Sequence, residues 1–420
     1  MGGSDAEAAG ERFNEAGGPS ALTARAEAKA RNGRPPACRL WAATVVLAAC
    51  LWPGSADTAG LETKAGQAFM IEAGSGTILL AKDADAPVQP ASLAKLMTAE
   101  VVFDALATGK ARLDDTYRIS EHAWRTGGAP SRTPTMFAAL KSEVRLEDLL
   151  KGVIVHTAND GAIAIAEGMA GSEAAFAELM NARARAIGLK ASKFRNPTGA
   201  AAEGQVVTMR ELALLAAHLR DTYREHYKLY ALPEFSWNKI TQRNKNPLLG
   251  AVPGVDGLVS GGTAETGGFS FVGSAQRGDQ RLYLALGGLP TDRERVAEAR
   301  RLIEWGMSAF DRAPLFAKDA VVGQARVYGG ASPTVPLKAT GAVAILLPVE
   351  GKERLSARIV YHGPVTAPVK AGTPIGSLKV WVGDTLSQET PLFAAEDVVT
   401  GSVAQRAADA LGELAFGWLR

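Results

Sequence analysis

A lysine three residues after a serine, at the start of an apolar helix, is the feature that most restricts how this chain can fold. In Pro90-Ala91-Ser92-Leu93-Ala94-Lys95-Leu96-Met97-Thr98 and its continuation, Leu93, Leu96, Met97, Val101 and Leu106 recur at helical spacing. Pro90 stiffens the start and Gly109 offers a stop. A helix of that composition is buried and carries Lys95 inside with it. Positions three apart share a helix face, so the Lys95 amine can reach the Ser92 hydroxyl. A desolvated lysine gives up its proton more readily and can act as a base. Ser92 is the candidate nucleophile and Lys95 its base. The spacing alone does not single them out, because Ser236-Trp237-Asn238-Lys239 repeats it in an expected strand or turn.

Length and charge narrow the class further. A chain of 420 residues, 47% of them hydrophobic, holds two or three domains with real cores. The net charge of +2, from 46 basic and 44 acidic residues, comes with no basic cluster or aromatic platform, so nucleic acid is not an expected partner. Cys38 and Cys50 both precede the folded part, which therefore needs no disulfide or thiolate site. The histidines, His122, His156, His218, His226 and His362, lack ligand spacing. Neither a metal nor a cofactor is expected.

Residues 1–59 read as a structureless extension followed by a signal peptide. Arg31, Arg34 and Arg39 precede the apolar run 40–49, and Pro53 and small residues follow, which places cleavage near Ala56 or Ala59. Leu47-Ala48-Ala49-Cys50 leaves lipidation of Cys50 as a rival. A hairpin is expected over 68–81, helices over 144–155, 172–187 and 208–219, the last opened by a capping box at Thr208-Met209-Arg210-Glu211, an antiparallel meander over 255–286 and a helix over 294–310. Residues 67–312 thus form an α+β domain, an antiparallel sheet flanked by helices. Residues 318–400 offer short strands, among them 343–347, 355–361 and 378–382, and read as a small all-β sandwich. In 402–420, Val403, Ala407, Leu411, Leu414 and Trp418 fall on one helix face. That amphipathic helix either lies in a membrane surface or packs back on the β domain.

Three segments line up in order: Ser92-x-x-Lys95, Thr157-Ala158-Asn159, and Val259-Ser260-Gly261 followed by Gly262-Thr263. With the flanking text Pro90-Ala91-Ser92, Asn159-Asp160, Val255-Asp256-Gly257-Leu258, Phe235-Ser236-Trp237-Asn238-Lys239 and Ile303-Glu304-Trp305-Gly306, they resemble the serine D-alanyl-D-alanine carboxypeptidases, the low-molecular-mass penicillin-binding proteins. The resemblance implies a β-lactamase/transpeptidase-like first domain, no cofactor, and acyl transfer on peptidoglycan stem peptides, with β-lactams as substrate mimics. It implies Ser92 as nucleophile, Lys95 as base, Thr157 and Asn159 as the second motif, and the N–H groups of Ser92 and Gly262 as the oxyanion hole. Val259, Ser260, Gly261, Gly262, Thr263 and Arg295 would bind substrate, Arg295 through its terminal carboxylate. It also implies export to the periplasm and peripheral attachment to the outer face of the cytoplasmic membrane.

Two departures bear on activity. Thr157 keeps the hydroxyl of the family's serine and adds a methyl. Val259 stands where the family carries a cation, which by simple electrostatics would lower the pKa of Lys95. Its loss also removes a charge-assisted hydrogen bond worth roughly 1.5–3 kcal/mol. His156 is a candidate to restore part of that charge. The readings left open are a carboxypeptidase of reduced activity, a degenerate homologue that binds peptidoglycan or a partner without turnover, and a β-lactamase or esterase.

Overall fold

The computed structural model describes residues 62–350, 354–383 and 385–416. The leader, Cys38, Cys50 and Trp418 lie outside the described residues. Strands β1 (Gln67–Glu72) and β2 (Ile78–Lys82) form the expected hairpin. The meander is β3 (Val255–Gly261), β4 (Phe269–Arg277) and β5 (Gln280–Leu289), and all five strands join one sheet in the order β2-β1-β5-β4-β3. β1 pairs antiparallel with β5, Gln67 opposite Gly287, so the two ends of this part of the chain meet in the middle of the sheet. β3 is left at an edge, and that edge faces the Ser92 turn.

Both faces of the sheet are covered. On one lie α1 (Lys95–Ala107), α2 (Leu146–His156), α3 (Asn159–Ala170), α4 (Glu173–Ala186) and α5 (Met209–Thr222), whose core includes Phe103, Leu149, Ile165, Phe176 and Leu212. On the other lies α6 (Asp292–Ser308), with Ala299, Leu302 and Ile303 packed on Met70 and Leu284. Local chemistry sets most helix ends. Ser172 accepts from the Ala175 N–H and Thr291 from the Glu294 N–H. Two local expectations shift. Ser92 sits in a 3-10 turn, Ala91–Ala94, and the α-helix begins only at Lys95. Thr208 caps α5, but the reciprocal half of the capping box is absent, because the Glu211 carboxylate binds the N–H groups of Lys190, Ala191 and Ser192 instead.

After α6 the chain is all strand. Phe310–Phe316, which straddles the expected boundary at 312, pairs with Val343–Pro348. A second sheet holds six strands, the longest being Pro374–Val382 and Thr385–Ala394. These sheets enclose their own core around Val335, Ile345, Val380 and Leu392. The turn between β1 and β2 docks on them, with Thr77 Oγ1 accepting from Leu346 N at 3.1 Å and Gln388 Nε2 donating to Ser75 O at 2.7 Å. Helix α7 (Val403–Phe416) follows, tied by Asp409 accepting from the Gly329 N–H, while Val403 (74%) and Leu411 (68%) are exposed.

Candidate active site

The apolar face that draws α1 into the core also takes Lys95 out of water, leaving it 3% exposed. Its amine makes a single hydrogen bond among the described residues, donated to the Thr198 carbonyl at 2.6 Å. Burial alone pushes its pKa from 10.5 down to about 7. The half-buried Ser92 hydroxyl makes no hydrogen bond among the described residues, so the pair shares a turn without a direct bond between them. Gly261, at the end of edge strand β3, presses on Ser92. A Cβ there would stand 3.0 Å from Ser92 Cβ. Gly262 follows with φ +87°, and a Cβ on it would collide with the Gly268 carbonyl, so only glycine carries the chain past Ser92 here.

The loop 195–205 frames the pair, although sequence reasoning passed over it. Pro197 O accepts from Thr98 Oγ1 at 2.7 Å, and Thr198 O accepts from Lys95. Gly199, at φ +80°, lies so close to Ala91 that a Cβ would overlap the Ala91 carbonyl. Asn196 Oδ1 holds the loop by accepting from Gly199 N and Thr198 Oγ1, and the fully buried Gln205 accepts from the N–H groups of Arg195 and Asn196. The available signal was Asn196-Pro197-Thr198-Gly199, a turn sequence with no catalytic side chain in it.

The second motif occupies the break between α2 and α3. Thr157 ends α2 in the left-handed region, φ 59° and ψ 34°, a conformation unusual for a β-branched residue. Asn159 donates to Thr133 Oγ1 at 3.0 Å, while its Oδ1 is buried without a partner among the described residues. Asp160, fully buried, accepts from Thr135 Oγ1 and from the N–H groups of Met136 and Ala138, fastening the 133–138 loop to the motif. His156 does not restore a charge. Burial first, then the nearby Lys245 charge, pushes its pKa down to about 4, against an opposing contact with the Arg243 backbone.

The remaining third-motif residues divide. Val259 is 3% exposed, within the core. Ser260 Oγ donates to Lys245 O at 2.6 Å, and Lys245 N donates to Val155 O at 2.9 Å, so Lys245 ties the third motif to the last turn of α2. Thr263 is exposed and caps the short turn Ala264–Thr266. Arg295 lies on α6 against Phe269, with its guanidinium carbon 6.0 Å from the ring centre, paired with Asp292 and with Nε buried and unpartnered. No hydrogen bond or ion pair among the described residues links it to Ser92 or Lys95.

A buried amine with a lowered pKa in the same turn as a hydroxyl, with glycine backbone closing on that serine, suits acyl transfer. Comparison with known proteins points the same way. A family model described as D-alanyl-D-alanine carboxypeptidase matches residues 54–288, and one described as the C-terminal domain of penicillin-binding protein 5 matches residues 310–400. D-alanyl-D-alanine carboxypeptidase DacC of Escherichia coli is 35% identical over 336 residues, 79% of this chain and 84% of the relative. DacF of Bacillus subtilis is 29% identical over 351 residues, 81% and 87% of the two chains. Penicillin-binding protein 5 from Haemophilus influenzae superposes with a TM-score of 0.69 at 32% identity, over 81% of this chain and 99% of that one. Ampicillin-bound penicillin-binding protein D2 from Listeria monocytogenes gives 0.52 at 26% identity, over 60% and 100%. The α+β fold with a C-terminal all-β part is that of the Haemophilus influenzae protein.

Proposed function

This chain belongs to the D-alanyl-D-alanine carboxypeptidase family, and from that premise we propose that it removes the terminal D-alanine of peptidoglycan stem peptides through an acyl-enzyme on Ser92. The observation that carries the proposal is the buried Lys95 amine, brought to about 7 in the turn that presents Ser92. Ser92 Oγ bonds to the carbonyl carbon between the two D-alanines as its proton passes to Lys95. The oxyanion is held by the N–H groups of Ser92 and Gly262, donors worth about 10²–10³ in rate. Collapse breaks the C–N bond and the leaving D-alanine takes the proton, with the Thr157 hydroxyl as relay. Water then cleaves the ester and regenerates Ser92.

Substrate binding follows from the same groups. The free edge of β3 offers backbone pairing to an extended peptide, and the unpartnered Asn159 Oδ1 suits a substrate amide N–H. Ser260, Gly261 and Thr263 line that edge, and Arg295 takes the terminal carboxylate. β-Lactams acylate Ser92 in place of the peptide. Val259 reduces activity through the lost charge-assisted bond, roughly 10- to 150-fold for 1.5–3 kcal/mol. It does not disable the base, because burial, without a neighbouring cation, already lowers the Lys95 pKa to about 7. The same valine favours a second reading, binding without turnover.

Fluorescent penicillin and a pentapeptide ending in D-Ala-D-Ala test the proposal. Label is expected on the peptide containing Ser92 and not on that containing Ser236. Equal labelling of Ser92→Ala would remove the nucleophile. Labelling without D-alanine release would favour the binding reading.

The proposal includes a leader through residue 59, a catalytic domain at 67–312, a β-rich domain at 318–400 and a membrane-surface helix at 402–420. The exposed Val403 and Leu411 support attachment to the outer face of the cytoplasmic membrane from the periplasm. Among the described residues no helix is long and apolar enough to cross a membrane. Deleting 402–420 should release the exported protein from membranes. If it stays bound, lipidation of Cys50 or an uncleaved leader becomes the anchor.

A further inference from the structure

Residues 183–195 carry five cations, Arg183, Arg185, Lys190, Lys193 and Arg195, and no carboxylate, in a chain whose net charge is only +2. Arg183 is engaged, paired with Glu100 and Asp104 on α1. The other four line one cavity of about 350 Å³, where Glu178 is the only acid. None of the four has an ion pair or a side-chain hydrogen bond among the described residues. The negative end of α4 accounts for Arg185 in its last turn, but not for the three cations that follow the helix. Four like charges around one concavity repel one another, so an anion is drawn into it. This local excess amends the expectation of no basic cluster. It does not make a track for nucleic acid, because no aromatic side chain lines the cavity to stack a base.

The wall is built in advance of any ligand. Asn181, also in the wall, donates from Nδ2 to Phe194 O and accepts at Oδ1 from Phe194 N, each at 2.9 Å, which clamps this segment against α4. The Glu211 carboxylate accepts from the N–H groups of Lys190, Ala191 and Ser192, Val206 O from that of Lys193, and the buried Gln205 from that of Arg195. The backbone beneath the cations is therefore fixed, while their charged ends are left to a ligand. Two arginine forks and two lysine point charges match an anion with several oxygens and more than one negative charge. A phosphate group meets both requirements, whereas a carboxylate offers two oxygens and a single charge.

We propose that this cavity binds a phosphate group, carried by a small soluble molecule or by a phospholipid headgroup. The site is independent of the acyl-transfer reading, and Ser92→Ala should bind phosphate as the unmodified chain does.

Calorimetric titration of the intact chain with inorganic phosphate, against acetate at matched ionic strength, supplies the test. Phosphate should bind saturably and about tenfold more tightly than acetate. In the double variant Arg185→Gln, Lys193→Gln its affinity should fall about three- to tenfold, the scale of two exposed ion pairs. Circular dichroism verifies that the variant is folded, and Lys190→Gln takes its place if it is not. Absence of saturable binding, equal affinity for phosphate and acetate, or equal phosphate affinity in variant and unmodified protein would overturn the site. Co-sedimentation with phosphatidylglycerol vesicles, against phosphatidylcholine, identifies the source. A preference for phosphatidylglycerol that shrinks in the variant assigns the phosphate to a lipid headgroup. The same preference in both proteins, with calorimetric affinities that differ, assigns it to a soluble molecule.

Discussion

Titrating Ser92 acylation from pH 9 to pH 5 reads the protonation of Lys95. Burial holds that amine at about 7 instead of 10.5. Only the neutral amine accepts a proton, and its fraction is about a half at pH 7, a tenth at pH 6 and a hundredth at pH 5. Acylation should therefore rise about tenfold per unit below pH 7 and level off above about pH 8. Stability must carry the same signature. The folded pKa lies below the unfolded one, so between about 7 and 10.5 the unfolded chain binds the extra proton, and stability rises with pH across that window. At pH 7 and below, the buried lysine costs on the order of 5 kcal/mol, from roughly 3.5 units at 1.36 kcal/mol each. Lys95→Met removes this cost and leaves the Thr198 carbonyl unpaired, a loss of about 1–3 kcal/mol. The variant should be inert toward penicillin yet more stable at pH 7 by roughly 2–4 kcal/mol, and urea unfolding at pH 7 and pH 9 measures it. The unmodified protein should gain about 2 kcal/mol from this residue between those pH values and Lys95→Met nothing. Parallel pH dependence in both proteins, or acylation that stays flat down to pH 5, would refute the reasoning.

Three further outcomes are expected. Thr157→Ser relieves a β-branched residue in the left-handed region and should raise stability by up to about 1 kcal/mol while keeping the hydroxyl, as thermal unfolding would register. Gly199→Ala puts a methyl against the Ala91 carbonyl and should slow penicillin acylation at least tenfold, measured by stopped flow. An unchanged rate would mean that loop 195–205 does not set the nucleophile. Val259→Lys should speed acylation near neutral pH by about tenfold, the kinetic equivalent of ~1.4 kcal/mol, and shift the pH profile to lower values. An unchanged rate and profile would show that another group already does the cation's work.

The elements written in local pattern are legible in the residues themselves. The period of Leu93, Leu96, Met97 and Val101 marks a buried helix, the turn at Arg277-Gly278-Asp279 joins β4 to β5, and the Gly- and Pro-punctuated stretch after 318 contains strands. Such signals survive in sequence because a helix face or a pleated face repeats its demand every few residues. The linear order of Ser92, Lys95, Thr157, Asn159 and Val259 is enough to suggest the chemistry.

What the sequence withheld depends on atoms that any residue possesses, or on surroundings assembled from distant segments. The Lys95 amine is bonded by a carbonyl 103 residues away, and a carbonyl leaves no mark in the sequence. Glu211 satisfies the capping-box spacing yet turns to the 190–192 backbone, because three N–H donors in one place outcompete one. His156 reads as a substitute cation until burial and Lys245 make it neutral. Likewise, the missing charge at Val259 reads as a threat to Lys95 until the packing of α1 is seen to lower its pKa to about 7 without a neighbouring cation. The sequence by itself determined the helices, strands and order of the motifs. Only the tertiary structure decided the protonation state of Lys95 and the closeness of Gly261 to Ser92, because desolvation and contact are properties of neighbours in space.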